Sequence, residues 1–292
     1  MVSPTSSRRF RSRSGEALVV DLVKAHAYGN DFLLTPASGV AEGTRRAWAR
    51  RLCDRHTGAG ADGLIFYTVT PDGATMRLLN ADGSDSEVSG NGVRCLAAWV
   101  VRGAGAVTDG GAETGRRLVI ETDAGTKALE LVGIEAERLT FSAAMGPPTD
   151  LRQLRLRAAG EDLDVVALRV GNPQCVALMP LPDRSRFLAL GEALSSHEAF
   201  PEGANVELAE VSSADHVRIL IWERGVGPTL ASGTGACAAA VAAAAHGGAS
   251  RDVAVEAPGG TQRVVWSEGG LELTGWAEIL WAGRWMGEAP AG

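Results

Sequence analysis

The sequence predicts an α+β (mixed α/β) protein made of two duplicated, pseudo-symmetric domains, each a strand-rich sheet or barrel around a central helix. One Ser-Gly-x-Gly turn begins at Ser89 and another at Ser232, 143 residues later, and each leads into an Ala-rich run. Two polar strand ends, Asn80 and Glu223, precede these serines by nine residues and are separated by the same 143 residues. A repeat of this length indicates a duplicated domain and not a solenoid array. We therefore expect the function to reside in a cleft between the two halves.

The duplication extends toward the start of the chain. The dipeptides Gly29-Asn30 and Gly171-Asn172 recur at a separation of 142 residues, each among β-branched or aliphatic residues. A chain of 292 residues has room for two domains of ordinary size, and Pro147-Pro148 marks the boundary between them. We predict an N-terminal domain over residues 17–148, which residues 277–292 can complete, and a C-terminal domain over residues 149–276.

The first half alternates short strands with two helices. Runs of β-branched and aliphatic residues bounded by Gly, Pro or Asp favour strands, and Thr44 is placed to cap the first helix. The predicted elements are strands at 17–23 and 31–35, a helix at 44–56, strands at 64–70 and 75–79, a helix at 91–102, a hairpin at 117–132 and a strand at 138–144.

The second half repeats this order. Its predicted elements are strands at 163–170, 175–179 and 217–222, a helix that follows the Ser232 turn, and a hairpin at 253–266. The Ala-rich segment 236–245 is expected to lie in the core, because the central helix of such a domain must lie close to its sheet.

Composition excludes several classes of protein. The net charge of −7 argues against a nucleic-acid surface, and no apolar run reaches the roughly 20 residues that a membrane span needs. The four cysteines form no Cys-x-x-Cys pair, which favours reduced thiols and a cytoplasmic location. Residues 1–16 are rich in Ser and Arg but have no amphipathic apolar face, so we predict a disordered basic tail and not a transit peptide.

Two familiar motifs are also excluded. Residues 58–63 match the Gly-x-Gly-x-x-Gly pattern, but a dinucleotide site needs a strand before it and a helix after it. Here the predicted order is reversed, with a helix before and a strand after. Neither Ser89 nor Ser232 lies in the Gly-x-Ser-x-Gly elbow of serine hydrolases, and the five histidines show no metal-ligand spacing.

The paired serine turns suggest a chemistry. A single serine at such a position is most simply a helix N-cap. Two of them at equivalent positions of a duplicated fold provide two helix N-termini, each of which favours an anion such as a carboxylate. A substrate carboxylate held between them would place its α-carbon between Ser89 and Ser232. Groups on opposite faces of one carbon can remove a proton from one side and return it on the other.

At this point the chain resembles the diaminopimelate epimerase family, over about residues 20–285. The resemblance implies two mirror-related α/β domains, a homodimer, and proton transfer by one cysteine from each domain without pyridoxal phosphate or any other cofactor. The implied reaction converts LL- to meso-diaminopimelate, a diamino dicarboxylate, in the biosynthesis of lysine and peptidoglycan precursors. The matching segments are residues 23–32, Asn80-Ala81-Asp82-Gly83-Ser84, residues 90–95, Gly171-Asn172-Pro173, Glu223-Arg224-Gly225 and residues 233–237.

The chain departs from the family at its two catalytic positions, where Ser89 and Ser232 stand in place of cysteine. A thiol has a pKa of about 8.5, and an alcohol is a far weaker acid. Because each pKa unit costs about 1.4 kcal/mol in forming the anion, serine should slow the reaction by orders of magnitude unless a neighbour activates it. Gln174, where the family has histidine after Asn-Pro, cannot act as a base. His26 is an alternative base, although a histidine beside a strand is more often structural.

The resemblance also implies a binding site. One group would hold the distal amino-acid end of the substrate, with the Arg224 guanidinium on its carboxylate. A second group would orient the reacting centre, and backbone amides at the two turns would cradle the reacting carboxylate. Taken singly, each asparagine also fits a simple turn motif. The three groups are Asn80, Asn172, Asn205 and Arg224; Asn30 and Glu223; and Gly90, Asn91, Gly233 and Thr234.

Alternatives stay open at this point. The serines are either engineered replacements that trap an inactive enzyme or natural residues of a protein with serine-assisted epimerisation or another substrate. A non-catalytic amino-acid binder is a second class of function. A third is a racemase or lyase of related fold that needs one base, as in hydroxyproline dehydration or phenazine biosynthesis. The distal binding group argues against the third class, since a smaller substrate has no use for it.

Overall fold

The computed structural model describes residues 19–86, 89–103, 113–287 and 290, and over these it confirms the mixed α/β class. The helices are α1 (Arg45–Cys53), α2 (Gly90–Val101), α3 (Arg184–Ser195) and α4 (Gly233–His246). The strands are β1 (Val20–Ala27), β2 (Asn30–Pro36), β3 (Gly63–Thr70), β4 (Gly73–Asn80), β5 (Arg117–Thr122), β6 (Gly125–Glu135), β7 (Arg138–Gly146), β8 (Thr149–Ala158), β9 (Glu161–Val170), β10 (Asn172–Leu178), β11 (Asn205–Ser213), β12 (His216–Glu223), β13 (Gly227–Thr229), β14 (Asp252–Ala257), β15 (Gly260–Ser267) and β16 (Gly270–Trp285).

The first half is a closed barrel of eight strands. Each strand from β1 to β6 pairs with the next along the chain, and β16 pairs with both β7 and β1. Helix α2 runs through the middle, where Val93, Leu96 and Ala97 pack among the inward side chains of the barrel. Small and aliphatic residues on most of its surface explain how a helix can be surrounded on all sides by strands.

The second half repeats this plan. Its strands follow the order β8-β9-β10-β11-β12-β14-β15-β16, with β13 added beside β12. Helix α4 occupies the core, and its residues 235–243 are all buried. The predicted core position of the Ala-rich segment 236–245 is therefore confirmed for residues 236–243. Alanine side chains let the helix axis approach the surrounding sheet closely.

Strand directions show the duplication directly. In the first half β2 and β3 are parallel and β4 and β5 are parallel, while in the second half β10 and β11 and then β12 and β14 are parallel. Helix α2 follows β4, and α4 follows β12 after the short strand β13. Strand β16 serves both halves, since its start pairs with β15 and its end with β1. The exact limits of the two domains stay a prediction.

Several element boundaries differ from prediction. Helix α1 ends at Cys53 and not at residue 56, because the Asp54 carboxylate accepts hydrogen bonds from the amides of His56 and Thr57 and starts a turn. Thr44 precedes α1, but its hydroxyl donates to Ala41 O and caps no amide. Residues 1–16 and the predicted strand start at 17–18 lie outside the described residues. In the described part of the chain, no helix is long and apolar enough to cross a membrane.

Candidate active site

Five of the predicted site residues lie at strand ends, at equivalent edges of the two halves. In the first half β2 begins at Asn30 and β4 ends at Asn80, which pairs with Gly63 at the start of β3. In the second half β10 begins at Asn172, β11 at Asn205, and β12 ends at Glu223. Each edge is followed along the chain by a serine turn and a central helix. The duplication thus produces two similar polar edges.

Both serines cap their helices in the same way. Ser89 Oγ accepts a hydrogen bond from the Gly92 amide at 3.2 Å, and Ser232 Oγ accepts one from the Gly235 amide at 3.2 Å. The cap accounts for the third amide of each helix. The amides that precede it, at the first two positions of a helix, have no partner within the helix. Each turn therefore presents amide donors beside a hydroxyl group.

One side chain joins the two turns. Asn91, only 5% exposed, donates through Nδ2 to Asn30 Oδ1 at 3.2 Å and to Ala231 O at 3.5 Å. Ala231 is the residue before Ser232, so the start of α2 contacts the segment that leads into α4. The N-termini of the two central helices thereby meet at the junction of the halves.

A buried arginine reinforces this junction. Arg94, 2% exposed, donates to Asn91 Oδ1 and lies over the Tyr28 ring, 5.8 Å from its centre. With its amide oriented to satisfy both neighbours, Gln262 accepts from Arg94 Nη2 at 3.0 Å and donates to Ser232 O at 3.3 Å. Burial lowers the pKa of Arg94 from its ordinary value. These bonds connect the α2 terminus to the Ser232 backbone.

The segment 58–63 positions Asn30. It follows α1 and precedes β3, as predicted, and its Asp62 accepts from Asn30 Nδ2 at 2.8 Å. Arg55 bonds both Asp62 and Asp31, and Lys24 pairs with Asp31. Burial alone would raise the pKa of Asp31, but hydrogen bonds from Arg55 and Lys24 bring it to about 2. Sequence reasoning missed this charged network, because its members are distributed over three elements.

The predicted distal group is brought together only in part. Asn205 Oδ1 accepts from the Arg224 amide at 2.9 Å, and Asn172 Oδ1 accepts from Gln174 Nε2 at 2.6 Å. The Arg224 guanidinium donates to Glu202 O at 2.6 Å. Asn80 lies on the other half, where its amide donates to Ser84 Oγ within its own turn.

Residues 22–150 and 166–279 of this chain match the family model described as Diaminopimelate epimerase. The chain belongs to the diaminopimelate epimerase family. Proteins named diaminopimelate epimerase from Desulforudis audaxviator and Heliobacterium modesticaldum are 37% and 36% identical to it. The first alignment covers 91% of this chain and 99% of the relative, and the second covers 85% and 92%.

Solved structures share the fold at low sequence identity. A phenazine biosynthesis protein of the PhzF family from Bacillus anthracis matches with a TM-score of 0.65 and 15% identity, over 91% of this chain and 98% of that one. A hydroxyproline epimerase from Agrobacterium vitis matches with a TM-score of 0.62 and 15% identity, over 91% of each chain. At these identities the likeness shows the fold alone.

The four thiols of this family member are buried. All four cysteines are free and buried, and Cys95 and Cys237 lie inside α2 and α4 with no exposed surface. Burial, only partly opposed by the charge of Arg94, raises the pKa of Cys237 to about 12. A buried thiol with such a pKa forms too little thiolate to serve as a base at neutral pH.

The contacts of His26 are those of a residue that stabilises the fold. Its Nδ1 accepts from the Gly29 amide at 3.2 Å, its Nε2 lies 3.8 Å from Glu278 Oε2, and its ring meets Trp276 edge-on. These contacts tie the β1–β2 turn to β16. The structural interpretation of His26 is therefore the better one.

One buried carboxyl near the site was missed. Glu207 lies in β11, two residues after Asn205, and has no exposed surface. Burial, and secondarily the charge of Glu223, raises the pKa of Glu207 well above its ordinary value. The available signal was a glutamate within the otherwise apolar run 206–209, where a buried strand would be expected to carry only apolar side chains.

Proposed function

We propose that this protein binds diaminopimelate at the junction of α2 and α4 and interconverts its LL and meso forms by two-base proton transfer, slowed by serine at both catalytic positions. The observation that carries the proposal is the Asn91 contact, which brings two serine-capped helix N-termini to one place. A single carboxylate can then receive hydrogen bonds from both helices. The family membership supports the choice of substrate.

Binding of the reacting end follows from backbone geometry. The amides of Gly90 and Asn91 begin α2, and those of Gly233 and Thr234 begin α4. Free amides and the positive end of each helix dipole stabilise a carboxylate. Asn30, fixed by Asp62, and Glu223 are assigned to orient the reacting centre, and Glu223 favours the substrate ammonium.

The distal end of the substrate is assigned to Asn80, Asn172, Asn205 and Arg224. Arg224 would exchange its bond to Glu202 O for a two-pronged contact with the distal carboxylate. Asn172 and Asn205 lie on the same edge of the second half, and Asn80 is assigned to approach from the first half. A substrate with carboxylates at both ends suits this arrangement.

Proton transfer is assigned to the two serine hydroxyls. Ser89 and Ser232 would lie on opposite faces of the α-carbon, so that one removes the proton and the other supplies a new one. Each pKa unit by which serine exceeds cysteine costs about 1.4 kcal/mol in forming the base. The rate should therefore lie far below that of the same site with two thiols.

The test is incubation with LL-diaminopimelate in heavy water. Deuterium at the α-carbon and the LL/meso ratio are followed for the protein and for a Ser89→Cys/Ser232→Cys variant. We expect slow or undetectable exchange by the protein and a rise of several orders of magnitude in the cysteine variant, because the thiol is the stronger acid. Absence of exchange by both, together with no binding of diaminopimelate in calorimetry, would contradict the proposed substrate.

A second candidate function is non-catalytic binding of diaminopimelate or a similar amino acid. The observation that favours it is serine at both catalytic positions with the helix caps retained. It predicts calorimetric binding of the LL and meso forms with similar affinity and no α-carbon exchange, even in prolonged incubations. A cytoplasmic location, a homodimer and independence of cofactors are further parts of the proposal that rest on the family resemblance.

A further inference from the structure

The buried carboxyl of Glu207 faces the start of α4. On β11, Val206 and Leu208 pack in the cluster that contains α3, whereas Ala209 packs with α4. Because side chains alternate along a strand, Glu207 is directed to the α4 side with Ala209. Among the described residues, neither Glu207 oxygen has a hydrogen-bond partner. A buried polar group without a partner is costly, and its retention calls for an explanation.

Glu207 and Ser232 lie against the same glycine. A methyl group placed on Gly235 would lie 2.5 Å from Glu207 Oε1 and 3.2 Å from Ser232 Cβ. The Gly235 amide is also the donor that Ser232 Oγ accepts. The absence of a side chain at Gly235 thus allows the carboxyl to approach the capped end of α4, against the same glycine as Ser232 but without a hydrogen bond to its hydroxyl.

The other half has no such group at the equivalent position. A methyl group on Gly92, the third residue of α2, would lie 3.4 Å from Ile65 Cδ1. Ile65 is on β3, the counterpart of β11, and is fully buried. The two serine turns share their capping geometry but differ in what lies beneath them, a hydrocarbon at Ser89 and a carboxyl at Ser232.

The surroundings favour the protonated form of this carboxyl. Burial raises the pKa of Glu207, and the negative charge of Glu223 on β12 raises it further. The register partners of Glu207 on the neighbouring strands, Val176 on β10 and Ile221 on β12, carry no charge. Burial, and secondarily the charge of Glu207, raises the pKa of the Cys175 thiol on β10. A neutral carboxyl differs from a carboxylate in having a proton that it can donate.

We propose that Glu207 is a positioning residue that exchanges a proton with Ser232 Oγ when this hydroxyl turns from its bond with the Gly235 amide toward Glu207 Oε1, which makes the two faces of the site chemically unequal. This rests on the proposed function. When Ser232 protonates the α-carbon, the carbanion electron pair takes the Oγ proton to form the C–H bond, and Glu207 Oε gives its proton to Oγ. Glu207 is left as a carboxylate and Ser232 as an alcohol. In the reverse direction the Glu207 carboxylate takes the Oγ proton as Oγ takes the proton from carbon.

The test is infrared spectroscopy of the full chain during a pH titration. The carbonyl band of the protonated Glu207 carboxyl is identified by subtracting the spectrum of Glu207→Gln, or of Glu207→Ile if the first variant does not fold. We expect the band to be present at pH 7. Ser232→Ala should shift its frequency and its titration midpoint, whereas Ser89→Ala, the matched change in the other half, should leave both unchanged.

Three results would overturn the proposal: no protonated band at pH 7, a band that is insensitive to Ser232→Ala, or equal shifts from both serine variants. A merely structural role for Glu207 would not give a response specific to Ser232. Calorimetric titration of the same samples with diaminopimelate tests the proposed function separately. A Ser232-specific shift without diaminopimelate binding would support the pairing of Glu207 with Ser232 and contradict the substrate.

Discussion

At the scale of single residues, the two serines and the group beneath one of them define the chemistry of the candidate site. Ser89 and Ser232 make the same capping bond, and a cap of this kind contributes about 1 kcal/mol to stability. Stability therefore explains a serine at either position. It does not explain Glu207, because a neutral buried carboxyl without a partner is a stability cost.

The cost of Glu207 should depend on pH. Its folded pKa lies above the unfolded value of about 4.3, so between these values the folded protein keeps a proton that the unfolded chain releases. The contribution of Glu207 to the free energy of unfolding is therefore fully present below the unfolded pKa, and it declines as the pH rises. Glu207→Gln should accordingly be more stable than the protein at pH 7, with a difference that shrinks toward pH 4.

Urea unfolding at pH 4 and pH 7 measures this difference. Glu268→Gln, a substitution at an exposed position, is the control and should show no comparable change with pH. A Glu207→Gln difference that grows as the pH falls would contradict the assignment of a raised pKa to Glu207.

At the scale of elements, each central helix is positioned by a strand that runs beneath its first turn. Strand β3 places Ile65 under α2, and β11 places Glu207 under α4. The same scale explains the glycine-rich segment 58–63, which lies between α1 and β3 and holds Asp62 against Asn30. Its resemblance to a dinucleotide motif is a consequence of its tight turns.

The matched glycines at the two helix starts should respond differently to alanine. Gly235→Ala places a methyl group in close contact with Glu207 and should destabilise the protein by about 1–3 kcal/mol through overpacking. Gly92→Ala makes ordinary contacts and should be neutral or stabilise by up to about 1 kcal/mol, because alanine is the better helix former. Thermal and urea unfolding of both variants give the comparison.

A double variant tests whether contact with Glu207 causes the destabilisation by Gly235→Ala. In a Glu207→Ala background the effect of Gly235→Ala should largely disappear, since the contacting carboxyl is gone. Equal destabilisation by the two glycine substitutions would show that Glu207 does not press against Gly235 as described.

At the scale of the whole molecule, the two halves depend on one long strand and one buried junction. Strand β16 closes the first barrel through β1 and continues the sheet of the second half through β15. Asn91 and Arg94 connect the central helices where they meet. The relative placement of Ser89 and Ser232 therefore depends on contacts from both ends of the chain.

Removal of the end of β16 should open the first barrel. A chain that ends at Glu278 loses nearly all pairing of β1 with β16, so the free energy of unfolding should fall and the β1 amides should lose hydrogen-exchange protection. A chain that ends at Trp285 keeps these pairs and is the control. Equal protection of β1 in the two chains would contradict a closed barrel.

The sequence predicted the elements whose signals lie within a few neighbouring residues, and it missed elements that depend on partners far along the chain. Turn residues and short apolar runs located both central helices and most of the strands, because those signals are local. Helix α3 and strands β8, β11, β13 and β16 were missed. Strand β8 alternates charged and aliphatic residues, and α3 has neither a long nor a strongly periodic apolar face. Their formation depends on partners that are distant along the chain.

The sequence by itself determined the duplication, the mixed α/β class, the two serine-capped helix starts and the family to which the chain belongs. Each of these follows from the order and spacing of residues along the chain. Only the tertiary structure decided what surrounds the serines. Register along β11 places Glu207 against Gly235 in the first turn of α4, while the equivalent register along β3 places Ile65 against Gly92 in the first turn of α2. The sequences of the two turns give no sign of that difference, because it arises from strands that pack beneath them from distant parts of the chain.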